Sequence, residues 1–563
     1  MPTLPRLKSE TLISFFILFL CLLIYLPGLN NDFVGDDLIF VNPSDQYHYQ
    51  SWADYFTASQ DQHYYPVYYL LNVNLFRYFF EDIRLLRLIS ICLFYVSCLL
   101  VYRLIITLTE SQRTAFLTAV LYCLHPFSSP RVLLISNSFL SVYILSLCAS
   151  LVYFWDHLKS PSRKQSNLIL SSVFFVLALL TFEGAWLFPL QAFCAVYFIK
   201  KKKFAESLRL TFPFFFLALI HFVFWYSLIL HQSNLGERVA SFNLSWGGYL
   251  ASIAFLLKWL ATNYFWPQSV VHIYNHIPEA GPTAFLYLAL LAACSILIIL
   301  VLIRWGRGIK SFALTWFLAG FLLMTAGCFS QSYMGMVIEP HWFSFSLIGL
   351  FLLTAALFNE ALNKSFRKIS LAVIILWFCY LFVTAQKYVD IASTQKKYNE
   401  FWLKVCPLNP LPMQALAGIY ANEGRTSEAL NLYNRILQES NLKKDEIYAS
   451  LGKIYFNKKD LTQAEHYIAL ALAHNAKNAQ AYFVLGHIAR IKGDLRQAEE
   501  NFQKAWELGP YELENAFALI DTYMLQGKKD EAVNFLKNLL KTTPRMKEGQ
   551  AIRERLLKII REQ

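Results

Sequence analysis

The chain has 563 residues, of which 56% are hydrophobic and 16% are charged, and its mean hydropathy is +0.38, a balance typical of a polytopic membrane protein. The net charge of +12 does not indicate nucleic-acid binding, because much of the Lys and Arg lies in short loops between apolar runs. The ten cysteines lie mostly inside apolar runs and form no CxxC pair, which argues against a disulfide framework or a metal finger and favours small hydrophobic residues of the membrane part.

The first apolar run, from Thr11 to Leu29, is long enough to cross the hydrocarbon core as a helix. It ends in Tyr25-Leu26-Pro27-Gly28 instead of the small residues of a cleavage site, and many apolar segments follow, so we interpret it as a retained anchor. Arg6 and Lys8 precede it and predict a cytoplasmic N-terminus.

Three carboxylates follow this span, in the stretch Asn31-Asp32-Phe33-Val34-Gly35-Asp36-Asp37. They open a polar segment, residues 30–82, that we predict to be a large external loop and that also holds His63 and Tyr65. Ionisable residues beside a membrane are functional candidates, although loop carboxylates are also ordinary solvated charge.

Ten further apolar runs predict membrane spans, and the basic clusters between them predict the orientation. The clusters near Lys159, Lys200, Arg304 and Lys364 all lie in the cytoplasm only if residues 247–265 are interfacial or re-entrant. This assignment predicts about eleven spans and puts the C-terminal part on the side of Asp36 and Asp37. A bacterial inner membrane fits, and an endoplasmic reticulum membrane would give the same orientation. The ten runs lie near residues 85–107, 113–127, 131–154, 167–182, 185–199, 207–230, 284–303, 311–328, 341–358 and 369–386.

From about residue 405 the sequence becomes charged, rich in Ala and Leu, and periodic. Ala429, Ala464, Ala498 and Ala532 recur at spacings of 35, 34 and 34 residues, and a tetratricopeptide (TPR) helix pair has a period of about 34 residues. Leu451-Gly452 and Leu485-Gly486 fall in phase as first-helix positions. The period predicts a TPR solenoid.

We therefore predict an all-α protein with a membrane domain at residues 1–390, a linker at 391–410, TPR repeats at 411–545 and a capping helix at 546–563. On the capping helix, Ile552, Leu556, Leu557 and Ile560 are predicted to share the apolar face.

The remaining site candidates lie at the predicted external ends of the spans. Acids, imidazoles and aromatic rings recur there, which predicts a pocket at the membrane surface. They include His125-Pro126, Glu183, the Tyr264-Phe265-Trp266-Pro267 turn, His272, Glu339 and His341.

In this pattern the chain resembles the transmembrane and TPR-containing O-mannosyltransferases, which belong to the GT-C glycosyltransferases. The resemblance covers nearly the whole chain, and its individual motifs are short. They are Asp36-Asp37 with Ile39, Tyr65-Pro66, His125-Pro126 with Val132 and Ile135, Glu183 with Pro189, Trp266-Pro267 with Tyr274, and Ile338-Glu339 before a span that contains Gly349.

The resemblance implies an enzyme that transfers a sugar from a polyprenyl-phosphate donor to an extracytoplasmic acceptor. An acidic residue of the first external loop is then the base that takes the acceptor's proton, and we assign this role to Asp36 or, as second choice, Asp37. The leaving phosphate needs cations or hydrogen-bond donors, for which the candidates are Arg131, Lys258, His125 and His341. His63, Tyr65, Glu183 and Glu339 complete the predicted substrate-binding residues. Arg131 and Lys258 could instead snorkel, and both histidines could be structural.

The chain departs from the family where an acid and an arginine usually follow the His-Pro pair, because Pro130 and Ser138 stand there. The late loop reads Glu339-Pro340-His341 without the usual Arg. Mannose is therefore not carried over as the sugar. The scattered acids could hold a divalent cation, but no spacing requires one, and no other cofactor is predicted.

A TPR solenoid on the side of the acidic loop suits an extended peptide, so we expect it to recruit a protein acceptor. Two alternatives stay open. One is a non-enzymatic membrane scaffold whose spans anchor the TPR repeats, and for which the Asp36 and Asp37 carboxylates are dispensable. The other is an enzyme of the O-antigen ligase or polymerase type, whose key basic residues are expected in a large late external loop.

Overall fold

The computed structural model describes thirteen stretches of the chain, and all structural statements below concern them. Within them the chain forms two compact units that divide between Pro407 and Leu408. The described stretches are residues 6–38, 52–57, 65–79, 82–159, 164–232, 246–268, 272–274, 282–328, 336–338, 340–439, 444–509, 513–542 and 547–561.

The first unit is built from apolar helices. Within the described stretches, seven of them have the length and apolar composition of a membrane span, and three more apolar helices are shorter. The seven are Glu10–Gly28, Ile83–Thr109, Ser136–Lys159, Phe204–Leu228, Leu288–Trp305, Pro340–Ala361 and Arg367–Ile391, and the shorter three are Gln165–Leu179, Glu183–Ile199 and Ile309–Phe321. The number of eleven spans stays a prediction.

The α-helices of this unit are numbered in chain order. Short 3-10 turns join several of them, at Leu26–Gly28, Pro126–Ser128, Ser136–Phe139, Glu183–Leu187 and Pro340–Phe343. The helices are α1 Arg6–Tyr25, α2 Trp52–Thr57, α3 Pro66–Phe79, α4 Ile83–Thr109, α5 Gln112–Leu124, α6 Pro130–Leu133, α7 Leu140–Lys159, α8 Lys164–Leu179, α9 Phe188–Cys194, α10 Phe204–Gln232, α11 Trp246–Phe265, α12 Pro282–Trp305, α13 Ile309–Cys328, α14 Ser344–Ala361, α15 Arg367–Ile391 and α16 Gln395–Val405.

The structure adds detail to two predicted features of this unit. The segment 30–82 is not one loop, because it contains α2 and α3. Residues 247–265 form the continuous helix α11, which buries Ile253, Leu256 and Leu260 against the bundle. Whether α11 crosses the membrane stays a prediction.

The described strands are two three-residue segments, β1 His272–Tyr274 and β2 Met336–Ile338. They pair antiparallel with His272 opposite Ile338 and so join two loops that the sequence places on the external side. The prediction of an all-α protein is otherwise confirmed, since every other regular element described is helical.

The core of the first unit is aromatic, with Trp316, Phe175, Phe188 and Phe214 fully buried. Several helices instead leave apolar side chains uncovered, and the span of α12 has no residue buried within the protein. Such surfaces are stable against lipid but not against water. On α10 the exposed residues include Phe212, Phe216, Leu219, Ile220 and Val223.

The second unit is a stack of helix pairs in which small residues let neighbouring helices approach. Ala429, Ala464, Ala498 and Ala532 are all fully buried. A Cβ at Gly452 would lie 2.5 Å from the Ile468 side chain, which would have to shift to admit any other residue. The helices are α17 Pro410–Asn422, α18 Thr426–Glu439, α19 Lys444–Asn457, α20 Leu461–His474, α21 Ala479–Ile491, α22 Leu495–Leu508, α23 Leu513–Leu525, α24 Lys529–Thr542 and α25 Lys547–Arg561.

The last helix, α25, covers the preceding pair with a face that differs from the predicted one. Ile552 and Ile559 are buried and Leu556 is partly buried, whereas Leu557 is half exposed. Residues 552, 556 and 559 follow the i, i+4, i+7 spacing of one helix stripe, and Leu557 lies outside that stripe.

Candidate functional site

The acidic loop, residues 31–38, follows α1 and is fastened by hydrogen bonds to the end of α15 and the start of α16. The Asn31 side chain donates to the Val389 carbonyl at 2.7 Å, and the Asp32 N–H donates to the Ser393 carbonyl at 3.0 Å. Gly35 has φ +57°, and a Cβ there would lie 3.2 Å from the Tyr398 hydroxyl. These hydrogen bonds define the conformation of the loop, and the left-handed φ at Gly35 favours glycine there.

Asp37 points into the protein and is completely buried. One carboxylate oxygen, Oδ1, accepts the Ser136 N–H at 2.8 Å. Burial raises the pKa of Asp37, and the Arg87 guanidinium and the Ser136 N–H oppose that rise. Asp37 thus holds the acidic loop against the turn at Ser136, and its burial withholds it from a substrate.

Asp36 is the accessible carboxylate of the pair. Desolvation by the protein around the loop, and then the neighbouring Asp37 carboxylate, raise the pKa of Asp36 to about 6, although the side chain itself is exposed. A carboxylate with this pKa is mostly ionised at neutral pH and is a stronger proton acceptor than an ordinary aspartate.

Arg87 of α4 is the residue that the sequence interpretation missed. Its buried guanidinium donates to the carbonyls of Leu133 and, at 2.7 Å, of Asp32, and it faces the charge of Asp37. The signal was available, because Arg84 and Arg87 lie at the predicted external end of a span, where the positive-inside rule does not favour cations.

The buried turn segment, residues 125–139, connects α5 to α7 and contacts most of these groups. It contributes the Ser136 N–H to Asp37, and the Asn72 side chain of α3 donates to the Ser136 carbonyl at 3.0 Å. Pro130 begins α6, and the Ser138 hydroxyl donates to the Ile135 carbonyl at 2.7 Å. Pro130 and Ser138, which stand where the resembled family usually has an acid and an arginine, are therefore both buried.

His125 is held by hydrogen bonds on both ring nitrogens. Nε2 bonds the Tyr264 carbonyl at 2.9 Å, and Nδ1 accepts the Phe127 N–H at 3.2 Å. This geometry favours the structural alternative for His125, since neither nitrogen is left for a phosphate.

The other predicted phosphate ligands divide by exposure. Arg131 is 1% exposed and lies over the rings of Phe94 and Tyr122, with the Tyr122 hydroxyl as its hydrogen-bond partner. His341 is buried in the turn before α14, whereas Lys258 is exposed on α11. Of these cations only Lys258 is presented to solvent or lipid.

Glu183 lies in a cluster of aromatic side chains. It accepts the Trp225 Nε1–H at 2.7 Å and bonds the Tyr65 hydroxyl, and Trp186 donates to His221 at 2.9 Å beside it. Burial, and then the charge of Glu183, raise the pKa of Tyr65 well above its ordinary value, so Tyr65 stays protonated. The structure thus brings Tyr65 and Glu183 together, as a carboxylate beside flat aromatic faces.

An apolar groove borders the acidic loop within the first unit. Tyr398, which contacts Gly35, also lines this groove together with residues of α6, α15 and α16. The other lining residues are Pro130, Leu133, Leu134, Tyr388, Ile391, Ala392, Phe401 and Trp402.

Two predicted site residues, His63 and Glu339, lie outside the described stretches. Among the residues that are described, Asp36 and Asp37 have no third acidic or histidine side chain close enough to complete a cation site. A divalent cation stays a prediction.

Comparisons with known proteins identify the second unit. The tetratricopeptide repeat family matches residues 445–478 and 489–556. The C-terminal unit contains TPR repeats. Protein O-mannosyl-transferase TMTC2 of Homo sapiens is 28% identical to this chain over 97 residues, which are 17% of the chain. The matched part spans 12% of the length of that relative.

A buried polar contact joins two neighbouring TPR repeats. Asp445 of α19 accepts hydrogen bonds from the side chains of Asn475, at 2.8 Å, and Asn478, at 3.0 Å. Asn478 in turn caps α21 by accepting the Ala481 N–H. The carboxylate therefore ties the start of one repeat to the start of the next.

Proposed function

We propose that this protein is an integral membrane glycosyltransferase of GT-C type that moves a sugar from a polyprenyl-phosphate donor to an extracytoplasmic acceptor, with Asp36 as the base. The observation that carries the proposal is the rigid acidic loop, which exposes one carboxylate with a raised pKa and buries its neighbour. The partial similarity to an O-mannosyl-transferase and the TPR repeats support the same reading.

Asp36 suits the chemistry of glycosyl transfer. An acceptor hydroxyl must lose its proton as it attacks the anomeric carbon. A carboxylate of pKa about 6 is mostly ionised at neutral pH and can therefore accept that proton, becoming the carboxylic acid. The phosphate leaves as an anion, and Lys258 is the accessible candidate to bind it. Asp37 and Arg87 position the loop without touching substrate.

The donor and acceptor have separate candidate surfaces. The apolar groove beside Tyr398 suits the isoprenoid chain of the donor, and the cluster of Tyr65, Glu183 and Trp225 suits a sugar, whose hydroxyls bond carboxylates and whose C–H face stacks on aromatic rings. The TPR unit is proposed to recruit the acceptor protein. We propose a bacterial inner membrane, with this unit in the periplasm.

The proposal is tested with the full-length protein in lipid nanodiscs, supplied with polyprenyl-phosphate sugars and hydroxyl-bearing peptides or exported proteins. Asp36→Asn should lower transfer by about 10²–10⁴-fold, the usual contribution of a general base. Transfer by the native protein should rise with pH through about 6, because Asp36 must be ionised to accept a proton.

The matched control is Asp32→Asn, because Asp32 is exposed in the same loop and contributes its backbone, not its side chain, to the loop's hydrogen bonds. It should transfer at the native rate. Equal transfer by Asp36→Asn and native protein would remove Asp36 as the base. Absence of transfer from every donor, by protein that is folded, would instead favour the membrane scaffold.

A further inference from the structure

Three cysteines from three helices meet in the interior of the first unit. Cys21 of α1, Cys98 of α4 and Cys123 of α5 are all completely buried, and their sulfur atoms lie within 4.8 Å of one another. The Cys21 and Cys123 sulfurs are 3.5 Å apart. The sequence offers no CxxC spacing for them, because the helices, not a local motif, bring them together.

The spacing of the three sulfurs suits one metal ion. With metal–sulfur bonds of about 2.3 Å, a trigonal three-sulfur site has sulfurs about 4.0 Å apart. The described trio needs shifts of well under 1 Å to reach that geometry. The buried Tyr25 and Phe94 rings lie near the trio, and thiolate ligands select soft metal ions over hard ions that keep water ligands.

A buried cation beside the trio provides a second, independent observation. Arg131 is 1% exposed, lies within electrostatic range of Cys98 in the trio and also of Cys148, and has no carboxylate within ion-pair distance among the described residues. Its Nε also lacks a hydrogen-bond partner there. A buried guanidinium without a counter-charge is costly, and an anionic metal–thiolate group would supply that charge.

We propose that Cys21, Cys98 and Cys123 bind one soft d10 metal ion, Cu(I) in particular, as thiolates. Binding forms three metal–sulfur bonds and releases three thiol protons. Three thiolates and Cu(I) leave two negative charges, one of which Arg131 offsets. The ion would join α1 and α5, near their C-terminal ends, to the middle of α4, and this role is independent of the proposed glycosyl transfer.

The test uses the full chain in detergent, without oxygen and without added thiols, titrated with Cu(I) against a competing Cu(I) chelator. The native protein should hold one Cu(I) per chain. Cys21→Ser, Cys98→Ser and Cys123→Ser should each weaken Cu(I) binding more than about tenfold. Substituting a residue that only supports a metal ligand already lowers metal affinity by about 10–100-fold. Cys148→Ser is the matched control, a buried cysteine of α7 outside the trio, and should bind as the native protein does.

X-ray absorption of the Cu(I)-loaded native protein keeps the proposal testable if a variant fails to fold. Three sulfur neighbours at about 2.3 Å are expected. Failure to compete with the chelator, a first shell of nitrogen or oxygen, or equal losses in Cys148→Ser would each overturn the proposal and leave the trio as small core residues.

Discussion

The two units of this protein stabilise their structures in opposite ways. In the apolar unit the decisive polar contacts join distant parts of the chain: Asp37 and Ser136 are 99 residues apart, and Asn31 and Val389 are 358 apart. In the TPR unit the corresponding contacts are local, because Asp445 reaches Asn475 and Asn478 over 30 and 33 residues.

This difference predicts how each unit responds to a destabilising substitution. A repeat contacts its neighbours in sequence, so damage there stays near the altered residue. The acidic loop, α4 and the buried turn segment depend on one another through few buried groups, so loss of one leaves the others unsatisfied. This dependence explains how the acidic loop can present Asp36 in a defined position.

The largest effect is expected at Arg87, because its side chain satisfies buried carbonyls and faces the buried Asp37 carboxylate. Arg87→Met should destabilise the apolar unit by about 3–5 kcal/mol, because it leaves buried carbonyl oxygens without their donor and removes the cation nearest the buried Asp37 carboxylate. Hydrogen exchange of the full chain in detergent should show faster exchange in peptides from residues 31–38 and 125–139, with the TPR peptides unchanged.

Arg84→Met is the control for this change, since Arg84 is an exposed arginine of the same helix turn that donates to the Asn30 side chain at 2.7 Å. It should shift stability by less than about 0.5 kcal/mol. Similar effects of the two substitutions would mean that charge at the end of α4, not burial, is what matters.

A smaller and more local effect is expected at Gly486, whose Cβ would lie 2.6 Å from the Phe502 ring. Gly486→Ala should cost about 1–3 kcal/mol through overpacking. Gly418 lies two repeat periods before Gly486. A Cβ added at Gly418 would meet only the Tyr433 hydroxyl, at 3.9 Å. Gly418→Ala should therefore stabilise α17 by about 0.5–1 kcal/mol, as alanine does in a helix interior.

Exchange rates of α17, α21 and α22 peptides measure both glycine changes in the full chain. Destabilisation that spreads to the apolar unit would contradict the local behaviour expected of repeats, and destabilisation by Gly418→Ala would mean that the first helix pair is packed as tightly as the later ones.

The last predicted effect is the pH dependence of stability, which has opposite signs in the two units. Burial raises the pKa of Asp445, but the hydrogen bonds from Asn475, Asn478 and the backbone outweigh it and hold the pKa below its ordinary value. Its contribution is therefore present above about pH 4 and is lost as the pH falls through the folded-state pKa. Asp445→Asn should cost about 1 kcal/mol at neutral pH and flatten this acid dependence.

In the apolar unit the raised pKa of Asp36 reverses the sign of the pH dependence, because the folded state binds this proton more tightly than the unfolded state does. Its contribution is present below about pH 4 and is lost as the pH rises through about 6. Hydrogen exchange rates, corrected for the intrinsic pH dependence of amide exchange, measure the pH dependence of stability in both units. The control is Asp530→Asn, because Asp530 is exposed. Parallel trends in the two units would contradict the assignment of these carboxylates.

Much of the architecture could be predicted because it depends on composition and period. Apolar runs predicted the long helices, the alanine spacing predicted the repeats, and Asp36-Asp37 was selected by its place after the first span. The predicted apolar face of α25 was wrong at Leu557, because the positions of four apolar residues in the sequence do not tell which of them contact the neighbouring helix pair.

What the sequence by itself determined was the helical class, the TPR repeats and the acidic patch, since each depends on residues close together in the chain. The tertiary structure alone decided that Asp37 is buried on Ser136 while Asp36 is exposed, that Arg87 supports the loop, and that three cysteines meet beside Arg131. Burial and charge pairing are properties of the packed helices, and adjacent residues such as Asp36 and Asp37 acquire different chemistry only when the chain around them folds.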